Sequence, residues 1–186
     1  MAVIRANIQV NGIVQGVGFR PFIHKLITGE ALSGWIRNTS EGAEIELEGE
    51  EASVRRFLSD LRTKTPKLAV IESVHTAFFS QLMGYQGFEI RQSKALQERN
   101  TLISPDVGIC EDCLRELFDP ADRRYRYPFI NCTNCGPRFT IIKDVPYDRC
   151  KTTMGVFPMC PDCEAEYKTI TARRYHAQPA CCPVCG

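Results

Sequence analysis

The stretch Val10-Asn11-Gly12-Ile13-Val14-Gln15-Gly16-Val17-Gly18-Phe19-Arg20 decides the fold of the first half of the chain. Its first five residues belong to a longer segment, residues 2–14, in which apolar and polar residues alternate as they do in a strand. It is followed by Pro21, which suits the first position of a helix because its missing N–H would have no partner there. The stretch therefore predicts a strand, a glycine-rich loop and a helix in succession.

The next residues continue this alternation of strands and helices. Residues 32–39 and 43–48 are predicted to form two strands joined by a turn over residues 40–42, and the second of them shows clear period-two patterning. Apolar residues at three- and four-residue spacing predict an amphipathic helix over residues 51–64. Strand composition returns over residues 68–79, and residues 87–91 are predicted to form a short last strand. The order βαββαβ indicates an α+β, ferredoxin-like sandwich with two helices on one face of an antiparallel sheet.

The cysteines divide the chain into two parts. All ten lie beyond residue 100, and such a shift in composition is unusual within one continuous core. We therefore expect a first domain over residues 1–92, a polar linker over residues 93–104 and a cysteine-rich region over residues 105–186.

The cysteine-rich region contains two copies of one pattern, offset by 50 positions. Each copy consists of two Cys-x2-Cys pairs separated by 18 residues, which gives modules over residues 110–135 and 160–185. Other residues repeat at the same offset, for example Arg123-Arg124-Tyr125 and Arg173-Arg174-Tyr175. This agreement beyond the cysteines indicates a duplication.

The spacing of the pairs predicts two closed zinc sites. Two thiolates three positions apart on a tight turn can share one tetrahedral ion, and a second pair supplies the other two corners. Four sulfur ligands leave no open position, so both Zn²⁺ ions are predicted to be structural. Zinc binding of roughly 10–16 kcal/mol can fold a module of this size. The predicted ligands are Cys110, Cys113, Cys132, Cys135, Cys160, Cys163, Cys182 and Cys185.

The glycine-rich loop is a candidate anion site. Gly16 and Gly18 permit backbone torsions closed to other residues, so the loop amides can turn inward at the start of a helix. The third glycine of a dinucleotide-binding motif is replaced by Pro21. The predicted phosphate-binding residues are Gln15, Gly16, Val17, Gly18, Phe19 and Arg20.

The stretch from Val10 to Arg20 resembles the acylphosphatase family, which uses this loop on the same βαββαβ order. Asn38 stands where that family has its catalytic asparagine. The resemblance implies that Arg20 and the loop amides bind the phosphoryl oxygens while the Asn38 side chain positions the attacking water. Without the loop, Asn38 would more often be a turn residue and Arg20 a surface charge. An acyl phosphate has a good leaving group, so orientation and charge stabilisation can supply most of the acceleration.

The combination of this domain with two four-cysteine modules resembles the amino-terminal part of the HypF family of hydrogenase maturation carbamoyltransferases. Residues 123–129, 131–138 and 174–179 carry that likeness. It implies cleavage of carbamoyl phosphate to carbamate and phosphate, the first step in supplying the cyanide ligands of nickel–iron hydrogenase. In that family, further domains that this sequence does not contain use ATP and transfer the carbamoyl group to a partner, HypE.

The bulk composition limits other functions. A net charge of +1 gives no basic excess for nucleic acid, and no run approaches the roughly 18 apolar residues of a membrane helix. The start of the chain lacks the features of a signal peptide, so a cytoplasmic protein without membrane contact is expected. A nucleic-acid or protein-binding module without catalysis is the alternative, since residues 123–127 place arginines among tyrosines. Cys150, Cys181 and His176 receive no predicted role.

Overall fold

A computed structural model describes residues 2–94 and 101–185. The first half is a five-stranded sheet with two helices packed on one face, which confirms the predicted α+β class. The predicted linker lies partly outside the described residues. The elements are β1 (Val3–Ile13), α1 (Phe19–Ile27), β2 (Leu32–Thr39), β3 (Gly42–Glu50), α2 (Glu51–Thr63), β4 (Val70–Phe79) and β5 (Phe88–Ile90).

The sheet is mixed, so the prediction of a wholly antiparallel sheet is wrong. Its order is β4-β1-β3-β2-β5, and β5 pairs in parallel with β2. The chain between β4 and β5 returns across the sheet, where the Glu48 carboxylate accepts hydrogen bonds from the Gly84 and Tyr85 amides at 2.9 and 3.2 Å. A three-residue strand carries no sequence signal for its direction, which is set instead by this crossing.

The core lies between the sheet and the two helices. Ile8, Ile36 and Ile45 from the strands are fully buried, and Val54 and Leu61 meet them from α2. Burying one such side chain contributes roughly 1.5–3 kcal/mol, so this layer holds the sheet and the helices together.

Helix α1 begins at Phe19, two residues before the predicted start at Pro21. Proline is tolerated there because it still lies in the first turn, where backbone N–H groups have no partner within the helix.

The cysteine-rich region contains two short helices that the sequence analysis did not predict, α3 (Glu111–Phe118) and α4 (Pro161–Lys168). Each begins directly after the first cysteine of a module, at Cys110 and at Cys160. The first Cys-x2-Cys pair of each module therefore lies at a helix start, where a tight turn was expected. Acidic residues in both first turns favour these positions because they complement the helix dipole.

The cysteine-rich region packs against the glycine-rich loop of the first domain. The Gln15 side-chain oxygen accepts a hydrogen bond from the Tyr147 backbone N–H at 2.8 Å, and the Tyr147 side chain is fully buried. On the same side of the molecule, the Thr101 hydroxyl donates to the Ser40 carbonyl at 2.6 Å. Within residues 2–94 and 101–185, no helix combines the length and apolar character needed to cross a membrane.

Candidate functional site

The loop between β1 and α1 presents unused backbone donors. Gly16 and Gly18 adopt left-handed conformations, with φ of 72° and 75°. In the described part of the chain, the amides of Gly16 and Val17 donate no hydrogen bond. No acidic residue occupies the first turn of α1. Free amides at the positive end of a helix dipole are what an anion site requires.

Arg20 and Asn38 are both buried beside this loop. Arg20 lies in the first turn of α1, is 9% exposed, and its Nη2 atom lies 4.0 Å from Asp148 Oδ1. Asn38 lies near the end of β2, is 1% exposed, and its Oδ1 atom has no hydrogen-bond partner among the described residues. A buried acceptor without a partner costs roughly 1–3 kcal/mol, which is tolerated where a ligand or a water takes up the bond.

Gln15 connects the loop to the strand end that carries Asn38. Its side-chain nitrogen donates to the carbonyl oxygens of Thr39 at 2.7 Å and Gly42 at 3.0 Å. Its side-chain oxygen accepts from the Tyr147 amide. Both polar atoms of the Gln15 side chain are therefore used in hydrogen bonds that join the loop to other backbone segments. Only the backbone amide of Gln15 is left for the predicted contact with phosphate.

Residues of the first zinc module and the segment after it cover the loop. A Cβ atom at Gly16 would lie 2.8 Å from both the Pro137 Cβ and the Tyr147 ring. A Cβ atom at Gly18 would lie 3.5 Å from the Thr133 hydroxyl oxygen. The candidate anion site therefore lies between the first domain and the cysteine-rich region, a packing that the sequence did not predict.

The second zinc module places an aromatic cluster around His176. The His176 ring stacks on Tyr167 with centroids 4.9 Å apart, and the Tyr175 ring lies 4.4 Å away. Burial and, to a smaller extent, the positive charge of Arg20 lower the pKa of His176 to about 4, against the opposing effect of Asp148. Burial also raises the pKa of Tyr167 to about 12. These side chains are therefore neutral near pH 7.

The eight predicted zinc ligands form two clusters. In each cluster the four sulfur atoms lie within 4.8 Å of one another. Tetrahedral zinc with Zn–S bonds of about 2.3 Å places sulfur atoms roughly 3.8 Å apart, and the separations of 3.6 and 3.9 Å in the first cluster agree with that geometry. Cys182 joins the second cluster instead of its neighbour Cys181, whereas Cys150 is exposed. The clusters are Cys110, Cys113, Cys132 and Cys135, and Cys160, Cys163, Cys182 and Cys185.

Each cluster is bordered by arginines of the other module. Arg124 of the first module binds Glu166 of the second at 2.6 Å, and Arg174 of the second binds Glu116 of the first at 2.5 Å. Burial disfavours the charged form of Glu116, but hydrogen bonds from Arg174 and Arg173 outweigh it and lower the pKa. The ion pairs therefore hold the two modules together.

The comparisons with known proteins agree with this geometry. The acylphosphatase family model matches residues 6–90, and the HypF finger model matches residues 109–142 and 159–186. An acylphosphatase from Caldivirga maquilingensis is 36% identical over 90 residues, which cover 47% of this chain and 94% of that protein. The chain belongs to the acylphosphatase family. The acylphosphatase domain is joined to a HypF finger region with two structural zinc sites.

The whole chain is also similar to larger proteins. The carbamoyltransferase HypF of Rhodobacter capsulatus is 44% identical over 181 residues, covering 97% of this chain and 24% of that protein. A crystal structure of full-length HypF in the phosphate- and nucleotide-bound form superimposes with a TM-score of 0.92 and 50% identity, covering 99% of this chain and 24% of that one. The chain thus spans about a quarter of the length of these relatives, and it is an enzyme with an acylphosphatase-type domain.

Proposed function

We propose that the acylphosphatase domain hydrolyses carbamoyl phosphate to carbamate and phosphate. The observation that carries the proposal is the buried, unpartnered Oδ1 atom of Asn38 beside a loop with free amides and a buried Arg20. This arrangement offers positive donors for a phosphoryl group and one acceptor for a water molecule. The likeness to carbamoyltransferase HypF supports carbamoyl phosphate as the acyl phosphate.

The chemistry assigned to these groups is direct attack of water on phosphorus. Arg20 and the loop amides hold the non-bridging phosphoryl oxygens, and Asn38 Oδ1 accepts a hydrogen bond from the water and fixes its direction. A bond forms between the water oxygen and phosphorus while the bond from phosphorus to the acyl oxygen breaks. Carbamate leaves with the electron pair, and the proton lost by water ends on the phosphate. Positioned donors stabilise the charge that develops on phosphorus.

The zinc sites take no part in this reaction because four sulfur ligands leave no open coordination position. Their contribution is to fold the region that covers the loop.

We further propose that this hydrolysis is the first step of a carbamoyltransferase that supplies cyanide ligands to nickel–iron hydrogenase. In this proposal ATP and the HypE acceptor act with parts of the protein beyond this chain, and the reaction takes place in the cytoplasm. The support is the similarity to carbamoyltransferase HypF and to the phosphate- and nucleotide-bound HypF structure.

The alternative of a nucleic-acid-binding module has less support. Arg123 and Arg124 are engaged with Glu166, and the Tyr127 hydroxyl donates to the Cys181 carbonyl. Side chains committed to internal ion pairs and hydrogen bonds are poor contacts for a phosphate backbone or a base.

Phosphate release from carbamoyl phosphate tests the proposed roles. We expect Arg20→Ala and Asn38→Ala each to lower kcat by roughly 10²–10³ because each removes a group that acts on the transition state. Arg55→Ala and Asn7→Ala are matched controls, since Arg55 is exposed on α2 and Asn7 faces glutamates on the outer side of the sheet. Both controls should keep wild-type rates. An inactive wild type, or full activity in the two site variants, would contradict the proposal.

A further inference from the structure

The two zinc modules share one backbone hydrogen bond at which their side chains differ in a way that bears on the site. The His176 amide donates to the Tyr167 carbonyl at 3.0 Å, and at the equivalent positions the Arg126 amide donates to the Leu117 carbonyl at 2.8 Å. His176 and Arg126 both have left-handed backbones, with φ of 49° and 58°. The two modules therefore have the same backbone here, but the first carries leucine and arginine where the second carries tyrosine and histidine.

The surroundings of these equivalent residues also differ. Arg126 is exposed, and its neighbour Tyr125 is 44% exposed. In the second module Tyr175 is only 8% exposed, and the partly buried His176 lies against it and against Tyr167. The Tyr167 hydroxyl is fixed by a 2.6 Å hydrogen bond to the side-chain oxygen of Gln178, which is itself buried. The position of the His176 ring is thus set by packing.

This cluster lies toward the anion site. Asp148, which is 4.0 Å from Arg20, also acts electrostatically on Tyr167 and His176. The charge of Arg20 acts on Tyr167, Tyr175 and His176 alike. The second module also reaches the loop directly, because the Thr133 hydroxyl, 3.5 Å from a Cβ atom placed on Gly18, donates to the Arg173 carbonyl at 2.9 Å. Next to Asp148, the Arg149 guanidinium donates to the Gln178 carbonyl at 3.2 Å, so residues 173–178 of the second module lie beside the site around Arg20.

We propose that His176, held between Tyr167 and Tyr175, forms the wall beside the acyl group of the substrate and limits that group to a small one, such as carbamoyl or acetyl. The inference rests on the proposed hydrolysis of acyl phosphates. A neutral imidazole offers one donor and one acceptor, which suits the oxygen and nitrogen atoms of a carbamoyl group. The packed ring excludes a larger acyl group by its volume.

The test compares a small and a large substrate on the zinc-loaded 186-residue chain. We measure kcat/KM for acetyl phosphate and for benzoyl phosphate, and inhibition by inorganic phosphate, in wild type and in His176→Ala. The expected result is at least a tenfold rise in the ratio of benzoyl to acetyl phosphate hydrolysis, with phosphate inhibition unchanged. Arg126→Ala, at the equivalent position of the first module, should leave the ratio as in wild type.

A second variant covers the case in which His176→Ala does not fold. Tyr167→Leu introduces the residue that the first module has at the equivalent position, so it should keep two zinc ions per chain while loosening the support of His176. We expect the same direction of change in the ratio. If the wild type is active and the folded variants keep its ratio of benzoyl to acetyl phosphate hydrolysis, the role of His176 is contradicted while the proposed function stands. A wild type that hydrolyses no acyl phosphate contradicts the proposed function and this inference with it.

Discussion

Arg123 and Arg173 occupy equivalent positions of the duplication, and each donates a hydrogen bond to a cysteine sulfur of the other module. Arg123 Nη1 lies 2.7 Å from Cys185 Sγ, and Arg173 Nη1 lies 3.0 Å from Cys113 Sγ. Zinc with four thiolates carries a net negative charge, which these guanidinium groups offset. Each zinc site therefore takes its four ligands from its own module and a hydrogen bond to one of them from the other, so the two modules form one unit.

We predict that each arginine substitution weakens the zinc site of the other module. Arg173→Ala should lower the zinc affinity of the first site roughly tenfold or more, the usual effect of losing a group that orients a ligand. Zinc release to a chelator, followed by alkylation and mass spectrometry, identifies the cysteines that become reactive. Arg173→Ala should expose Cys113 and its cluster, and Arg123→Ala should expose Cys185 and its cluster.

The control for this experiment is Arg115→Ala. Arg115 is exposed and pairs with Asp112 on the same helix, so its removal should leave both zinc affinities unchanged. If an arginine variant instead lost zinc from the module that carries the substitution, the hydrogen bonds between arginine and the cysteine sulfur of the other module would not be what supports the zinc sites.

Much of the first domain could be predicted from its sequence. The limits of β2 were predicted to the residue, and those of α2 to within one. In α2 the apolar residues at three- and four-residue spacing report directly on the buried face of the helix. The eight cysteines were assigned correctly to two clusters because their spacing is fixed by tetrahedral coordination.

The cover over the loop could not be predicted in the same way. It depends on contacts such as that between Gln15 and Tyr147, which are 132 positions apart and carry no local pattern. The role suggested for His176 had one sequence signal, the difference between Arg126 and His176 at the offset of the repeat. That difference gains meaning only once the second module is seen to pack beside Asp148 and Arg20.

We predict that Gly16 is required by the packing of the two parts. Gly16→Ala adds a Cβ atom 2.8 Å from Pro137 and Tyr147, and overpacking of this kind costs roughly 1–3 kcal/mol in addition to about 1–2 kcal/mol of left-handed strain. Gly29→Ala is the matched control, because φ at Gly29 is +88° and nothing lies within 4 Å. Chemical denaturation should show the larger loss for Gly16→Ala, and equal losses would contradict the close packing.

The buried Gln15 side chain should contribute strongly to stability. Gln15→Ala leaves the carbonyl oxygens of Thr39 and Gly42 and the N–H of Tyr147 without their partner, which we expect to cost about 2–4 kcal/mol in the free energy of unfolding. Gln9→Ala on the exposed face of β1 should change it by less than about 0.5 kcal/mol. Urea titrations of the two variants measure the difference, and similar midpoints would argue against the assigned role.

Stability should fall in mild acid because of His176. Its pKa is about 4 in the folded chain and 6.5 when unperturbed, so the unfolded state binds the proton first as the pH falls below 6.5. This contribution is present above pH 6.5 and is lost progressively as the pH falls toward 4, with on the order of 1 kcal/mol gone by pH 5.5. The His176→Gln variant should not show this loss. If the free energy of unfolding of the two proteins changed in parallel between pH 7.5 and 5.5, the assigned effect of His176 would be contradicted.

Hydrolysis of carbamoyl phosphate in ¹⁸O-water tests the roles of Arg20, the loop amides and Asn38 most directly, through the position of the oxygen label in the products. Arg20, the loop amides and Asn38 are assigned to a phosphoryl group and to a water that attacks phosphorus. We therefore expect one ¹⁸O atom in the phosphate released by the wild-type chain, detected by mass spectrometry. Unlabelled phosphate would show cleavage of the bond between the carbonyl carbon and oxygen, and would contradict attack of water on phosphorus.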